Sequence, residues 1–262
     1  MKKKVLASLT ALILAIGLMS PTVFADGSAT VYVTIANGDL KMVQQPVTVT
    51  DVDEDGALTI YDAFYLAHEA AFDGGAAAGF AAEETTYGLS ITKFWGVENG
   101  GSYSYYLNTI MAMGLTDEVK DGDYLDGFVF TDTTTFSDQY SYFNVRNAAV
   151  NAGQDLELTL SALSFDENFN TVVGPVADAT ITVNGQATEY KTDADGKVTI
   201  KFDTDGQFIV SAVSDTAVLV PPAVVVNATP LTGDFGFMPY VFLGLAALLM
   251  IGVLSFRRSH EA

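Results

Sequence analysis

Six oxygen-bearing positions fall at regular spacing in one short stretch of the 262-residue chain: Asp51, Asp53, Asp55, Ala57, Thr59 and Asp62, within Asp51-Val52-Asp53-Glu54-Asp55-Gly56-Ala57-Leu58-Thr59-Ile60-Tyr61-Asp62. Carboxylates at positions 1, 3 and 5, a glycine at 6 for a sharp turn and an apolar residue at 8 suit a loop that wraps a hard divalent cation. Calcium takes about six to eight oxygens. Asp51, Asp53 and Asp55 would supply three carboxylates, and Ala57 a backbone carbonyl. Thr59 would hold a water, and Asp62 would close the shell from the first turn of a following helix. The cofactor this spacing predicts is calcium.

Other residues with chemical potential are weaker candidates. Thr192-Asp193-Ala194-Asp195-Gly196 lacks a downstream acid at the twelfth position and lies between alternating strands, so it reads as a hairpin turn. Asp203-Thr204-Asp205-Gly206 reads the same way. Trp95, Tyr103, Tyr105 and Tyr106 could form a ligand-stacking face for a cofactor, against the plainer reading of alternating core packing. His68 and Glu69 follow the acidic loop on the same predicted helix and read as structural or surface residues.

Composition narrows the classes further. The chain has no Cys, which removes disulfides, thiolate catalysis and Cys-based zinc sites. Its two His, His68 and His260, supply poorly any His-based triad or His-rich metal site. Twelve Lys and Arg stand against 32 Asp and Glu, a net charge of −20, so phosphate backbones should repel the protein and nucleic acid is excluded as a partner. At 49% hydrophobic residues the chain is nevertheless too apolar for a disordered acidic tail.

Both ends look like addresses. Lys2, Lys3 and Lys4 precede an uncharged run from Val5 to Met19, Pro21 breaks it, and Val23-Phe24-Ala25 supplies small residues for cleavage after Ala25. That is the layout of a secretory signal peptide over residues 1–25. Pro239 to Phe256 is uncharged over 18 residues and is followed by Arg257 and Arg258. It spans about 27 Å as a helix, enough for a bilayer core, with the arginines inside and the rest of the chain outside.

Between the ends, two textures appear. Val31, Val33 and Ile35 alternate over 29–36, and a second short strand follows at Val47 to Thr50. A helix is expected from Ile60 to Phe72, with Ile60, Phe64, Ala67 and Ala71 on one stripe. Strands are expected at Leu89 to Trp95, Tyr103 to Asn108 and Tyr124 to Thr131. From residue 154 the pattern changes to short alternating runs punctuated by Asn184-Gly185, Asp195-Gly196 and Asp205-Gly206, the texture of an antiparallel sandwich. Tyr140, Tyr142 and Phe143 suggest packing within the intervening segment.

Four resemblances attach to these residues. The run Asp51 to Asp62 resembles an EF-hand calcium loop, with the final Asp of the dockerin-type version. Gly88, Ile91, Phe94, Gly96, Tyr103, Tyr105, Tyr106, Asn108, Gly122 and Asp123 resemble the pattern of the transcobalamin-like C-terminal domain family, which implies a β-grasp module over about residues 29–133. Residues 178–202 resemble bacterial Ig-like modules of surface proteins. Thr229-Pro230-Leu231-Thr232-Gly233, ahead of an apolar span and a basic tail, resembles the sorting signal of Gram-positive wall proteins. That implies sortase cleavage between Thr232 and Gly233 and linkage of Thr232 to peptidoglycan, although Thr229 stands where that signal has Leu.

The expected plan is therefore a signal peptide (1–25), an α+β β-grasp-like domain with a calcium loop (26–133), a connecting segment (134–153), an all-β Ig-like sandwich (154–228), and a sorting motif with a transmembrane helix and basic tail (229–262). The expected function is that of a non-enzymatic, calcium-binding surface protein on a Gram-positive wall, acting in adhesion or ligand binding. Its partners would be sortase and peptidoglycan through Thr232, the membrane through 239–256, and an extracellular protein, glycan or small molecule. Two alternatives stand beside this: a capture module for a corrinoid or similar cofactor, implied by the family resemblance, and a wall-active hydrolase, which the many carboxylates would permit.

Overall fold

The computed structural model describes residues 27–168 and 170–230. The predicted signal peptide, Thr232, Gly233 and the apolar span 239–256 lie outside the described residues.

The first sheet is built from nonlocal pairing. Strand β1 (Ala29–Asn37) and strand β2 (Asp39–Val49) form an antiparallel hairpin turned at Gly38. Helix α1 (Ile60–Ala71) follows, then a short helix α2 (Gly75–Gly79) and the two-stranded ribbon of β3 (Ala81–Thr85) and β4 (Gly88–Lys93). Strands β5 (Tyr103–Leu107), β6 (Ile110–Met111) and β7 (Tyr124–Val129) complete a five-stranded sheet in the order β2-β1-β7-β5-β6, with β1 and β7 parallel.

The second half is two facing sheets. Strands β8 (Gln139–Phe143), β10 (Asp155–Phe165), β11 (Thr171–Pro175), β14 (Lys197–Lys201) and β16 (Leu219–Val220) make one. Strands β9 (Asn147–Asn151), β12 (Thr180–Val183), β13 (Gln186–Lys191), β15 (Gly206–Val213) and β17 (Val224–Thr229) make the other. Leu158, Leu160, Val198 and Ile200 from the first meet Ile181, Val210, Val224 and Val226 from the second in one core.

The expected α+β class is corrected. Strands occupy 51% of the described residues and helix 8%, so the protein is mainly β, and the structure does not show the β-grasp domain that the resemblance implied. The excess is physical: β2 runs for 11 residues where a short strand was expected, because Pro46 and the left-handed Gln44 (φ +44°) hide its alternation. Strands β8 and β9 also fall inside the expected connecting segment. Among the described residues no helix is long and apolar enough to cross a membrane, and the expected span 239–256 lies outside them.

The helix sits where the acidic loop requires. Ile60, Ala63, Phe64 and Ala67 are buried with Val31, Val33, Ile35 and Met42 in the first core. Ala71 is exposed; His68, four residues after Phe64, takes the next inward position and is fully buried.

Candidate metal centre

Loop closure depends on Asp62. Its Oδ1 accepts from the Val52 amide at 2.8 Å, and its Oδ2 accepts from both the amide and the hydroxyl of Thr59 at 2.8 Å. Thr59 is the N-cap of α1 and forms a reciprocal capping box with Asp62. One carboxylate therefore ties the beginning of the loop to its end. The helix start is fixed a second time by segment 115–119: the amides of Ile60 and Tyr61 donate to the carbonyls of Asp117 and Leu115, and the Val119 amide donates to the Leu58 carbonyl.

Within this frame the remaining acids fold inward. Asp51 accepts from the amides of Asp55 (3.1 Å) and Gly56 (2.9 Å), and Asp55 accepts from the Ala57 amide at 2.8 Å. Gly56 has φ +91° with open space around a would-be Cβ, so glycine is needed there for backbone sign and not for room. Carboxylate oxygens of Asp51, Asp53 and Asp55 lie within 4.8 Å of one another. Burial, then the charges of Asp62 and Asp55, raise the Asp53 carboxyl above its ordinary value. None of the four ion pairs among the described residues reaches this loop. Three anionic groups thus converge without a protein cation. Hard oxygen donors at this spacing fit calcium. Asp51, Asp53 and Asp55 would be the residues to hold such a cation, with the Ala57 carbonyl next along the chain. Thr59 and Asp62 serve the loop's hydrogen bonds, and Asp62 adds charge near Asp53.

The aromatic set behaves differently. Tyr103 donates its hydroxyl to the carbonyls of Thr92 (3.0 Å) and Val97 (2.8 Å). Tyr105 meets Phe64 edge-on at 5.9 Å on the helix side of the sheet. Tyr106 is buried on the opposite face, stacked on Tyr140 at 3.8 Å and 5°. Trp95 packs on His68 and Phe72. The four rings are divided between the two faces of one sheet and do not form a common stacking surface.

His68 is held as a neutral core group. Its Nδ1 lies 2.7 Å from the Phe64 carbonyl and therefore carries the proton, while Nε2 accepts from the Trp95 amide at 3.1 Å. Phe72, Phe80, Phe94 and Trp95 surround the ring, and burial pushes its pKa down to about 4.

A polar cluster joining the two halves escaped the sequence reading. Arg146 grips Asp126 with both guanidinium nitrogens (3.1 and 2.8 Å), and the Tyr140 hydroxyl donates to the same carboxylate. The Arg146 guanidinium lies over the Tyr124 ring, and its backbone carbonyl accepts from Gln44 Nε2 at 2.9 Å. Asp126 raises the Arg146 pKa against the opposing effect of burial. The adjoining cavity of about 20 Å³ suits a water and not an organic ligand. One signal existed: Arg146 is the single Arg between the two terminal segments.

No family model and no curated protein matches the chain. Among solved structures, the Ig1-2 module of the Drosophila receptor protein tyrosine phosphatase DLAR is similar at 15% identity, over 57% of this chain and 74% of that one, with a TM-score of 0.26. The D0-D1 domain of intimin is similar at 19% identity, over 56% and 76%, with a TM-score of 0.25. The four N-terminal Ig domains of a Dscam1 isoform match at 11% identity and a TM-score of 0.24, where this chain spans about a third of that one. Scores at this level leave fold and function to be read from the chain's own residues.

Proposed function

We propose that the protein is a non-enzymatic, calcium-binding surface protein of a Gram-positive wall, acting in adhesion or ligand binding. The observation that carries the calcium reading is the convergence of Asp51, Asp53 and Asp55 with no protein cation beside them. Unrelieved, the three carboxylates repel one another; a divalent cation removes that repulsion and supplies the charge the loop lacks. The display reading rests on the signal-peptide pattern and on Thr232-Gly233 ahead of an apolar, basic-ended tail. Nothing in the divided aromatic set favours corrinoid capture.

Calorimetric titration of the full chain with calcium chloride at pH 7 tests the metal. One saturable site is expected, with a dissociation constant on the order of 10⁻⁴–10⁻³ M, typical of extracellular modules. Asp53→Asn should weaken it at least tenfold. Absence of saturable heat would remove the calcium reading. For display, the wall-released protein should have a mass ending at Thr232; a mass retaining Gly233 to Ala262 would contradict sortase processing.

A further inference from the structure

An exposed apolar strip stands at the edge of the first sheet, and a second one, Phe165, Val172 and Val173, lies at the β11 edge. Ile110 is 72% exposed, Met111 43% and Met113 93%, all within four consecutive residues. Isolated exposed apolar residues are ordinary, but three together on a strand edge are not. Ile110 and Met111 form β6, which ends the order of the first sheet, and Met113 follows just beyond it; among the described residues no strand pairs with β6 beyond β5. Protein edges of this kind are usually shielded by charge, proline or a covering loop. Here no charged residue occurs from Asn99 through Thr116.

Charge appears only at the ends of the strip, and it is mainly negative. Asp117 Oδ2 accepts from the Met113 amide at 2.7 Å. Its charge also raises the Tyr105 hydroxyl pKa, after burial, which places it beside the β5 neighbour of the strip. At the other end Asp123 accepts from Asn108 Nδ2 at 2.8 Å, next to the β5–β6 turn. Glu118 pairs across Thr59, at the exit of the acidic loop. Segment 117–123 holds Asp117, Glu118, Asp121 and Asp123 against the single cation Lys120.

We propose that the Ile110–Met113 edge is a docking strip for an extended, cationic polypeptide segment with apolar side chains at alternate positions. With the Ala112 and Met113 amides already donated to Tyr105 and Asp117, the backbone at Met111 offers a short template for strand addition, and the flexible methionines adapt to differing apolar partners. The acidic ends favour Lys or Arg flanks and speed encounter. A second copy of this chain carries the wrong charge, because the protein has a net −20. This reading does not depend on calcium: the strip stands whether or not the neighbouring loop holds a cation.

The test uses the full chain and three labelled ten-residue probes, (Lys-Val)₅, (Lys-Ser)₅ and (Glu-Val)₅, followed by fluorescence anisotropy at low salt with calcium and with chelator. The expected order is saturable binding of (Lys-Val)₅, at least tenfold weaker binding of (Lys-Ser)₅ and none of (Glu-Val)₅. Ile110→Ser combined with Met113→Ser changes only exposed side chains and should weaken (Lys-Val)₅ at least tenfold with an unchanged circular-dichroism spectrum. Asp195→Asn, on a distant acidic turn, should leave binding intact. Equal binding of (Lys-Val)₅ and (Lys-Ser)₅, or no effect of the double variant, would mean undirected attraction to an acidic surface and would overturn the proposal. A concentration-dependent dimer that the double variant abolishes would assign the strip to a second copy and also overturn it.

Discussion

Two acidic turns in this chain share the same vocabulary of Asp and Gly and differ in what surrounds the carboxylates. In the loop after β2, Asp51, Asp53 and Asp55 share one small volume. In the turn between β13 and β14, Asp193 Oδ1 accepts from the amides of Asp195 and Lys197, and the Asp193 amide pairs with the Lys197 carbonyl at 2.8 Å. The glycines differ in the same sense. A Cβ at Gly196 would meet the Leu160 carbonyl oxygen at 2.4 Å, whereas one at Gly56 would meet nothing within 4 Å. The expected hairpin is corrected: β13 pairs with β12 and β14 with β10, so the turn passes from one sheet to the other, with Asp193 bonding its own backbone and Gly196 packed against β10. A long strand-to-helix loop, closed at its root by Asp62, leaves its acids facing one another. Turn composition alone does not bring carboxylates together; the space left by the flanking elements does.

The largest effect should separate the two glycines. Gly196→Ala combines a left-handed residue with a backbone clash and should cost on the order of 4 kcal/mol, while Gly56→Ala should cost about 1–2 kcal/mol from backbone sign alone. Denaturant unfolding of both variants measures the gap, and equal losses would break the distinction between a packed turn and an open loop. The next effect is acid-induced. Because burial lowers the His68 pKa to about 4 from its ordinary 6.5, its contribution is complete above pH 6.5 and is lost as pH falls toward 4, amounting to about 3 kcal/mol. The loss should begin at α1, seen as faster amide exchange there than in β15, and His68→Phe should remove that pH dependence. The smallest effect concerns the cap: Thr59→Ala should cost about 1 kcal/mol in both calcium and chelator, because the capping box is made by Thr59 and Asp62 alone. A loss confined to calcium would place Thr59 in the cation's coordination instead.

Local signals made part of this legible. The spacing of Asp51, Asp53 and Asp55 anticipates the convergence, and the apolar stripe of Ile60, Phe64 and Ala67 anticipates the helix, expected to start at Ile60 and found there. The role of Asp62 was not legible, since its Val52 and Thr59 bonds depend on how the loop closes in space. Strand β2 was half-hidden by its irregular register against β1 between Val33 and Ala36. Strand β9 pairs in parallel with β17, far along the chain, so nothing near Asn147 announces it. The same nonlocality hid the Asp126–Arg146–Tyr140 cluster. Periodicity reports which face is buried, and it put Tyr103 and Tyr105 on the opposite side from Tyr106; it does not report that Tyr140 covers Tyr106.

Thermal melting of the full chain with calcium and with chelator, for wild type, Asp51→Ala and Asp193→Ala, tests the central claim most directly. At about 100 times the dissociation constant, calcium should stabilise the wild type by about 2.7 kcal/mol, provided the unfolded chain does not bind it. Asp193→Ala should keep that gain and Asp51→Ala should lose it. Superimposable wild-type curves in calcium and chelator would contradict the account and leave the loop as an acidic turn.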